Sequence, residues 1–147
     1  DVKRARKLLK ELRLESKIDQ PFALMSKGER QCVLIARALI SNPEILILDE
    51  PGTGLDIYAR DYVLHAIDDL AKNSDMTIIY VTHYPEEILP MFDKCVLMKD
   101  GAFYQMGETS EIFTKENMSE FIHHDVNVDA RGGHYYVSME VESVLGQ

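Results

Sequence analysis

The chain has 147 residues, enough for one domain with a core of its own. Hydrophobic residues make up 46% and charged residues 28%, the balance of a soluble globular protein, and no apolar stretch approaches the roughly 20 residues that span a bilayer. The net charge of −9 argues against a nucleic-acid partner, because an acidic surface repels the phosphate backbone.

The chain opens on Asp1 rather than Met, and no apolar signal-peptide segment follows. We therefore expect Asp1 to be an internal residue of a longer protein. Cys32 and Cys95 are the only cysteines, and each stands alone in an apolar segment. This usage indicates reduced core thiols in a cytosolic protein rather than a disulfide framework.

Residues 1 to about 15 are predicted to form an amphipathic helix, because apolar residues recur there at helical spacing. Its other side carries six basic residues: Lys3, Arg4, Arg6, Lys7, Lys10 and Arg13. A solvated basic face is the favoured interpretation, and a nucleic-acid or membrane-surface patch is the minor alternative. An irregular segment, 16–25, follows and is interrupted by Pro21.

A second helix is predicted from about Ser26 to Ile40, with an apolar face wide enough to be nearly buried. Its first residues, Ser26-Lys27-Gly28, could hold a phosphate through backbone N–H groups and the helix dipole. Taken alone, the same residues are equally typical of an N-cap.

The run Ile45 to Leu48 is apolar at every position, which predicts a strand of a parallel sheet with both faces covered. Asp49 and Glu50 stand at its carboxyl end. One of two such carboxylates can hold a magnesium ion through its water shell, and the other can orient or deprotonate a water molecule. The alternative is that the two acids merely leave the sheet and cap the following loop.

The loop after the acid pair is rich in glycine and ends in Asp56, a good N-cap for a helix predicted at about 57 to 72. A second buried strand, 76–81, ends in Thr82-His83. A histidine at such a position is usually a hydrogen-bonded loop residue, and the glycine-rich loop is more often a turn than a ligand contact.

The remaining segments are shorter. We expect a short helix from Pro85 that Pro90 breaks, a third strand at 94–98 that turns back at Lys99-Asp100-Gly101, and one or two short helices in 109–124. Residues 125 to 147 are expected to form a hairpin around Gly132-Gly133 or to fray. The cluster His123-His124-Asp125 suggests a metal site, but neighbouring residues on a helix diverge and serve one ion poorly.

Alternating strands and helices predict an α/β fold with crossover helices. In such sheets, ligands bind beyond the carboxyl ends of the strands, where Asp49-Glu50 and His83 stand. The order of the segments also resembles the ATP-binding-cassette (ABC) ATPase family. The matching motifs are the signature Met25-Ser26-Lys27-Gly28-Glu29, the Walker B strand 45–50, the D-loop Gly54-Leu55-Asp56 and the switch segment Val81-Thr82-His83.

The resemblance implies a partial P-loop NTPase core, a mostly parallel sheet with crossover helices, and part of the helical signature subdomain. The corresponding divisions are a signature portion at 1–43, the C-terminal half of the ATPase core at 44–124, and a tail at 125–147. The resemblance covers the chain to about Phe113.

The resemblance also implies a role for each matching residue. Asp49 would organise Mg²⁺ through its waters, Glu50 would be the general base, and His83 would contact the γ-phosphate of ATP. Asp56 would act across a head-to-tail dimer of two such domains. The residues Ser26, Lys27, Gly28 and Glu29 would bind the nucleotide held by the partner.

Two positions of the signature depart from the family. Lys27 stands where the family usually has Gly and would add positive charge beside the phosphates, and Glu29 stands where it usually has Gln. The phosphate-loop pattern GxxxxGK[ST] does not occur in the chain, which contains no Gly-Lys dipeptide. We therefore expect the chain to be a truncated piece, a proteolytic remnant or one part of a longer protein, and to be inactive alone.

The resemblance leaves three functions open. The first is the cytoplasmic ATPase subunit of a transporter, peripheral on the inner face of the plasma membrane, whose permease is a separate chain. The second is a soluble cassette ATPase that acts on ribosomes, DNA or other proteins. The third is a binding fragment without enzymatic activity. The sequence does not identify a transported substrate or the direction of transport.

Overall fold

The structure, a computed structural model, describes residues 2–139. The predictions made for Asp1 and for 140–147 lie outside the described residues. The chain divides into two compact units, with the boundary between His83 and Tyr84. The division predicted from the resemblance, at 43 and 124, stays a prediction.

Three helices form most of the first unit: α1 (Val2–Glu11), α2 (Lys27–Leu39) and α3 (Ile57–Lys72). The helices predicted at 26–40 and 57–72 are confirmed. Helix α1 ends earlier than the predicted 15, because Arg13 adopts a left-handed conformation with φ of 61°. Two short 3-10 turns, Glu15–Lys17 and Phe22–Leu24, occupy the segment that was predicted to be irregular.

The core of the first unit lies among these helices. Its fully buried members include Leu12, Leu14, Cys32, Val63 and Ile67. Both cysteines are free thiols, and burial raises the pKa of the Cys32 thiol to about 12. Cys32 is therefore a packed, unreactive core residue, as its apolar surroundings in the sequence indicated.

The first unit also contains two parallel strands, β1 (Ile45–Asp49) and β2 (Thr77–Val81), which α3 connects. This strand–helix–strand unit confirms the predicted α/β architecture. The pairing is continuous from Ile45 opposite Thr77 to Asp49 opposite Val81. It brings the carboxyl ends of the two strands to one edge.

The prediction that both faces of β1 are covered is wrong for the described chain. Leu46 and Leu48 are buried, whereas Ile45 and Ile47 are 56% and 64% exposed. The burial alternates because only the side of β1 that carries Leu46 and Leu48 is covered. The other side, here called the open sheet face, consists of Ile45, Ile47, Ile79 and Val81, all of which are exposed.

The second unit contains two hairpins and two short helices. Strands β3 (Lys94–Lys99) and β4 (Ala102–Glu108) form one antiparallel hairpin, and β5 (Val126–Arg131) and β6 (His134–Met139) form the other. The helices are α4 (Thr109–Ile112) and α5 (Lys115–Ile122). Their shared core contains Leu97, Ile112, Phe113, Met118 and Val126.

The hairpin turn predicted at Asp100-Gly101 is confirmed. Of the two alternatives for the tail, a hairpin forms around Gly132-Gly133, and all four turn residues have positive φ. The predicted third strand also forms, but it pairs antiparallel with β4 instead of extending the β1–β2 pair. The predicted helix at Pro85 is a single 3-10 turn, Pro85–Glu87. None of the helices between residues 2 and 139 is both long enough and apolar enough to cross a membrane.

Candidate functional site

The candidate site lies at the carboxyl end of the β1–β2 pair. Asp49 is the last residue of β1, Glu50 follows it, and His83 lies just beyond β2. Because the strands are parallel and paired in register, their ends meet at one edge, where open α/β sheets bind ligands. Residues that are distant in the sequence therefore become neighbours.

Glu50 and His83 are in direct contact. His83 Nε2 lies 2.7 Å from Glu50 Oε1, and the Glu50 side chain is 35% exposed. The backbone N–H of Glu50 donates to the carbonyl oxygen of Val81 at 2.9 Å, which ties the start of the loop to β2. Glu50 also has a φ of 47°, a left-handed conformation that is uncommon outside glycine. The structure thus joins the two residues that the sequence identified as candidates at separate strand ends.

A residue that the sequence did not identify also reaches Glu50. The Thr53 hydroxyl donates to Glu50 Oε2 at 2.9 Å, and the Thr53 backbone N–H donates to the Glu50 carbonyl oxygen at 3.1 Å. Both carboxylate oxygens of Glu50 are therefore engaged. The available sequence signal was the spacing of three residues across a Pro-Gly turn, since such turns join residue i to residue i+3.

Asp49 ends β1 opposite Val81 and is exposed. A single accessible carboxylate fits a magnesium ion, which keeps several of its waters and takes few protein ligands. Within residues 2–139, no group of three or more His, Cys, Asp or Glu residues is arranged to hold a metal ion.

Ser26 begins α2 through a reciprocal capping box. Its hydroxyl oxygen accepts from the Glu29 backbone N–H at 3.2 Å, and the Ser26 backbone N–H donates to Glu29 Oε2 at 2.8 Å. Lys17 Nζ lies 3.3 Å from Glu29 Oε1. The hydrogen bond from the Ser26 backbone is the main cause that lowers the pKa of Glu29, and Lys17 adds to it.

The next two residues face the loop and helix that follow β1. Lys27 Nζ donates to the Gly54 carbonyl oxygen at 3.4 Å. Gly28 is buried against α3, where an added Cβ would lie 3.2 Å from the Ala59 carbonyl oxygen. Gly28 thus allows close approach of two helices, a packing role that the motif did not reveal.

Asp56 is the N-cap of α3, as predicted, and its Oδ1 accepts from the Ala59 backbone N–H at 2.8 Å. The site residues therefore form two local groups. Glu50, His83 and Thr53 lie together, and the start of α2 lies beside Gly54 and the start of α3.

A protein-family model described as ABC transporter matches residues 1–53. The chain is 45% identical over 122 residues to the uncharacterized ABC transporter ATP-binding protein YlmA of Bacillus subtilis (strain 168), covering 82% of the chain and 46% of YlmA. It is 36% identical over 123 residues to the molybdate import ATP-binding protein MolC of Haemophilus influenzae, covering 84% of the chain and 48% of MolC.

Solved structures share the fold. The structure of cbiO1 from Clostridium perfringens, part of the ABC transporter complex cbiONQ, matches with a TM-score of 0.70 and 30% identity, over 83% of the chain and 49% of cbiO1. The chain spans about half the length of the relatives that it matches.

Proposed function

Because the chain belongs to the ABC transporter family of ATP-binding proteins, with the α/β fold of their P-loop NTPase domains, we propose that the full-length protein is the ATP-hydrolysing subunit of an ABC transport system. The observation that carries this proposal is the contact between Glu50 Oε1 and His83 Nε2 at the carboxyl end of β1–β2. A carboxylate and an imidazole at a sheet edge are suited to positioning a water molecule and a phosphate.

In this proposal, Glu50 is the general base. Its carboxylate accepts a proton from the water that attacks the γ-phosphate of ATP, and His83 donates from Nε2 to a γ-phosphate oxygen. The 2.7 Å contact between them supports this assignment, because both groups face one small region of the sheet edge. With ATP bound, the Nε2–H would turn from Glu50 Oε1 to the phosphate oxygen and leave Oε1 to accept from the water. Water and phosphate would be held in fixed relation, which is the main source of catalysis in phosphoryl transfer.

Asp49 would hold Mg²⁺ through water molecules, next to the base. A bound magnesium ion supplies positive charge that neutralises the phosphate oxygens. The exposed position of Asp49 at the strand end supports this role, because the carboxylate can reach a hydrated ion without being buried.

The start of α2 would bind the nucleotide of a second ATPase domain in a head-to-tail dimer. The Ser26 hydroxyl oxygen already accepts within the capping box, but its hydrogen can still donate to a phosphate oxygen. The first-turn N–H groups of Lys27 and Gly28 have no acceptor within the helix and favour an anion. The Lys27 side chain and the Glu29 carboxylate would border the partner's nucleotide, and Asp56 would act across the dimer interface.

We further propose that the full-length protein works with a membrane permease on the cytoplasmic side of the membrane. Two of the compared proteins support this assignment: MolC is named as an import ATP-binding protein, and cbiO1 is part of a transporter complex. The substrate of the transporter is not assigned.

The test is Glu50→Gln in the full-length protein. We expect MgATP binding to persist and steady-state hydrolysis to fall about 10²- to 10⁴-fold, the usual cost of losing a general base. Measuring phosphate release together with nucleotide affinity separates these effects. Near-normal hydrolysis by this variant would remove Glu50 from the role.

The dimer is tested by mixing the Glu50→Gln protein with a Ser26→Ala protein. Each mixed dimer would contain one composite site with an intact Ser26 from one chain and an intact Glu50 from the other. We expect mixing to restore activity above that of either variant alone. Mixed dimers that form but show no recovery would contradict the assignment of Ser26 to the partner's nucleotide.

A further inference from the structure

Thr53 stands in the loop after the acid pair, and the motifs of the sequence give it no role. Its hydroxyl donates to Glu50 Oε2 at 2.9 Å, while His83 Nε2 lies 2.7 Å from the other carboxylate oxygen. The carboxylate is thus held on both sides by side chains from two different segments. We propose that Thr53 is a positioning residue, which fixes the plane of the Glu50 carboxylate so that Oε1 faces His83.

The backbone of the loop makes this contact possible. The Thr53 N–H donates to the Glu50 carbonyl oxygen at 3.1 Å, so residues 50–53 form one hydrogen-bonded turn. The turn starts from the left-handed Glu50, with φ of 47°, and Glu50 is tied to Val81 by its own N–H. The position of Thr53 relative to Glu50 is therefore fixed by this hydrogen-bonded turn.

The contact with the carboxylate needs a hydrogen-bond donor, which the Thr53 hydroxyl supplies. A carboxylate accepts hydrogen bonds and donates none when ionised, so its partner must bring a hydrogen. Without Thr53, the end of the Glu50 side chain can rotate about its last bond, which is a broad torsion with weak preferences. Rotation would move Oε1 away from His83 while leaving the residue chemically intact.

This inference rests on the proposed role of Glu50 as general base, and it predicts a specific kinetic pattern. In the full-length protein, Thr53→Val keeps the shape of the side chain and removes the hydroxyl. We expect kcat for ATP hydrolysis to fall about tenfold, the scale of one hydrogen bond to a charged group, with the KM for MgATP unchanged. Thr53→Ser keeps the hydroxyl and should restore most of kcat.

Two further variants make the test specific. Thr77→Val makes the same change at an exposed position at the opposite end of β2, and it should leave kcat unaltered. In a Glu50→Gln background, Thr53→Val should cause no additional loss, because a residue that acts only through Glu50 loses its effect with it.

The role of Thr53 is overturned if Thr53→Val keeps normal kcat, if Thr53→Ser is as impaired as Thr53→Val, or if Thr53→Val lowers the residual rate of Glu50→Gln by the same factor. The proposed function fails differently. Normal turnover by Glu50→Gln alone would remove the general base itself, whereas a large loss in Glu50→Gln beside normal turnover in Thr53→Val removes only the positioning role.

Discussion

Glu29 stands at a position where the resembling family usually has glutamine. Either side chain can complete the capping box with Ser26, because both offer an oxygen to the Ser26 backbone N–H. The difference lies in charge. The Ser26 hydrogen bond and the nearby Lys17 both favour the ionised carboxylate, which lowers the pKa of Glu29 below its ordinary value of 4.5. Glu29 thus makes the start of α2 sensitive to acid.

We predict that Glu29→Gln removes this sensitivity. Because the folded chain holds the Glu29 proton less readily than the unfolded chain does, the contribution of Glu29 is complete above about pH 4.5 and is lost as the pH falls through the folded pKa. At pH 7, Glu29→Gln should cost about 0.2–1 kcal/mol of unfolding free energy, the range of an exposed ion pair. At pH 3 the difference from the unsubstituted chain should be smaller than at pH 7, because part of the carboxylate is then protonated in both states.

Urea unfolding, monitored by circular dichroism at pH 7 and pH 3, measures the difference in unfolding free energy between the two chains. Glu15→Gln is the matched control, because it removes another surface ion pair, with Lys10 at 3.2 Å, away from the capping box. A stability difference at pH 3 as large as that at pH 7 would show that the charge of Glu29 is not responsible.

At the level of elements, local signals predicted helices better than sheets. The starts of α2 and α3 followed from Ser26 and Asp56, because an N-cap side chain accepts a hydrogen bond from a backbone N–H in the first turn of its own helix. The prediction that both faces of β1 are covered was wrong, because the burial of a strand depends on segments elsewhere in the chain. The sequence likewise identified Glu50 and His83, but the contact with Thr53 depends on the left-handed turn at Glu50 and could not be predicted from composition.

Gly28 provides a prediction for the packing of α2 on α3. An added Cβ would lie 3.2 Å from the Ala59 carbonyl oxygen and 3.3 Å from the Ala59 Cβ. We expect Gly28→Val to reduce stability by about 1–3 kcal/mol, the usual cost of overpacking. The same change in an Ala59→Gly background should cost less, because part of the crowding is gone.

Unfolding free energies of the four proteins in this cycle measure the coupling. Gly107→Val is the control, since an added Cβ there would meet its nearest neighbour, Ile112 Cδ1, only at 3.8 Å. Equal costs of Gly28→Val with and without the Ala59 Cβ would show that crowding against this atom is not the cause.

For the molecule as a whole, the open sheet face is the least expected feature. Parallel strands are normally covered on both faces, yet Ile47 is 64% exposed and Ile79 is 45% exposed. These side chains are neighbours in the pairing of β1 with β2. A contiguous apolar face of this kind favours association with another surface.

We therefore predict that the isolated chain associates with itself through the open sheet face. Ile47→Lys should raise the dissociation constant about tenfold or more, because each copy loses an isoleucine that association would bury and must instead desolvate a charge. Light scattering across a concentration series measures this. Ile57→Lys, at an 87% exposed position outside the face, is the matched control. A monomer at all concentrations would contradict the prediction.

The in-register pairing of β1 with β2 also determines where the chain can change length. One extra residue within β2 would displace His83 by about 3.3 Å along the strand direction and exchange the two faces of β2, so the contact with Glu50 would be lost although every side chain remained. Extra residues at 73–76, between α3 and β2, leave the pairing and the contact in place. In evolutionary terms, insertions and deletions between Glu50 and His83 should therefore concentrate in that connection and be excluded from the strands.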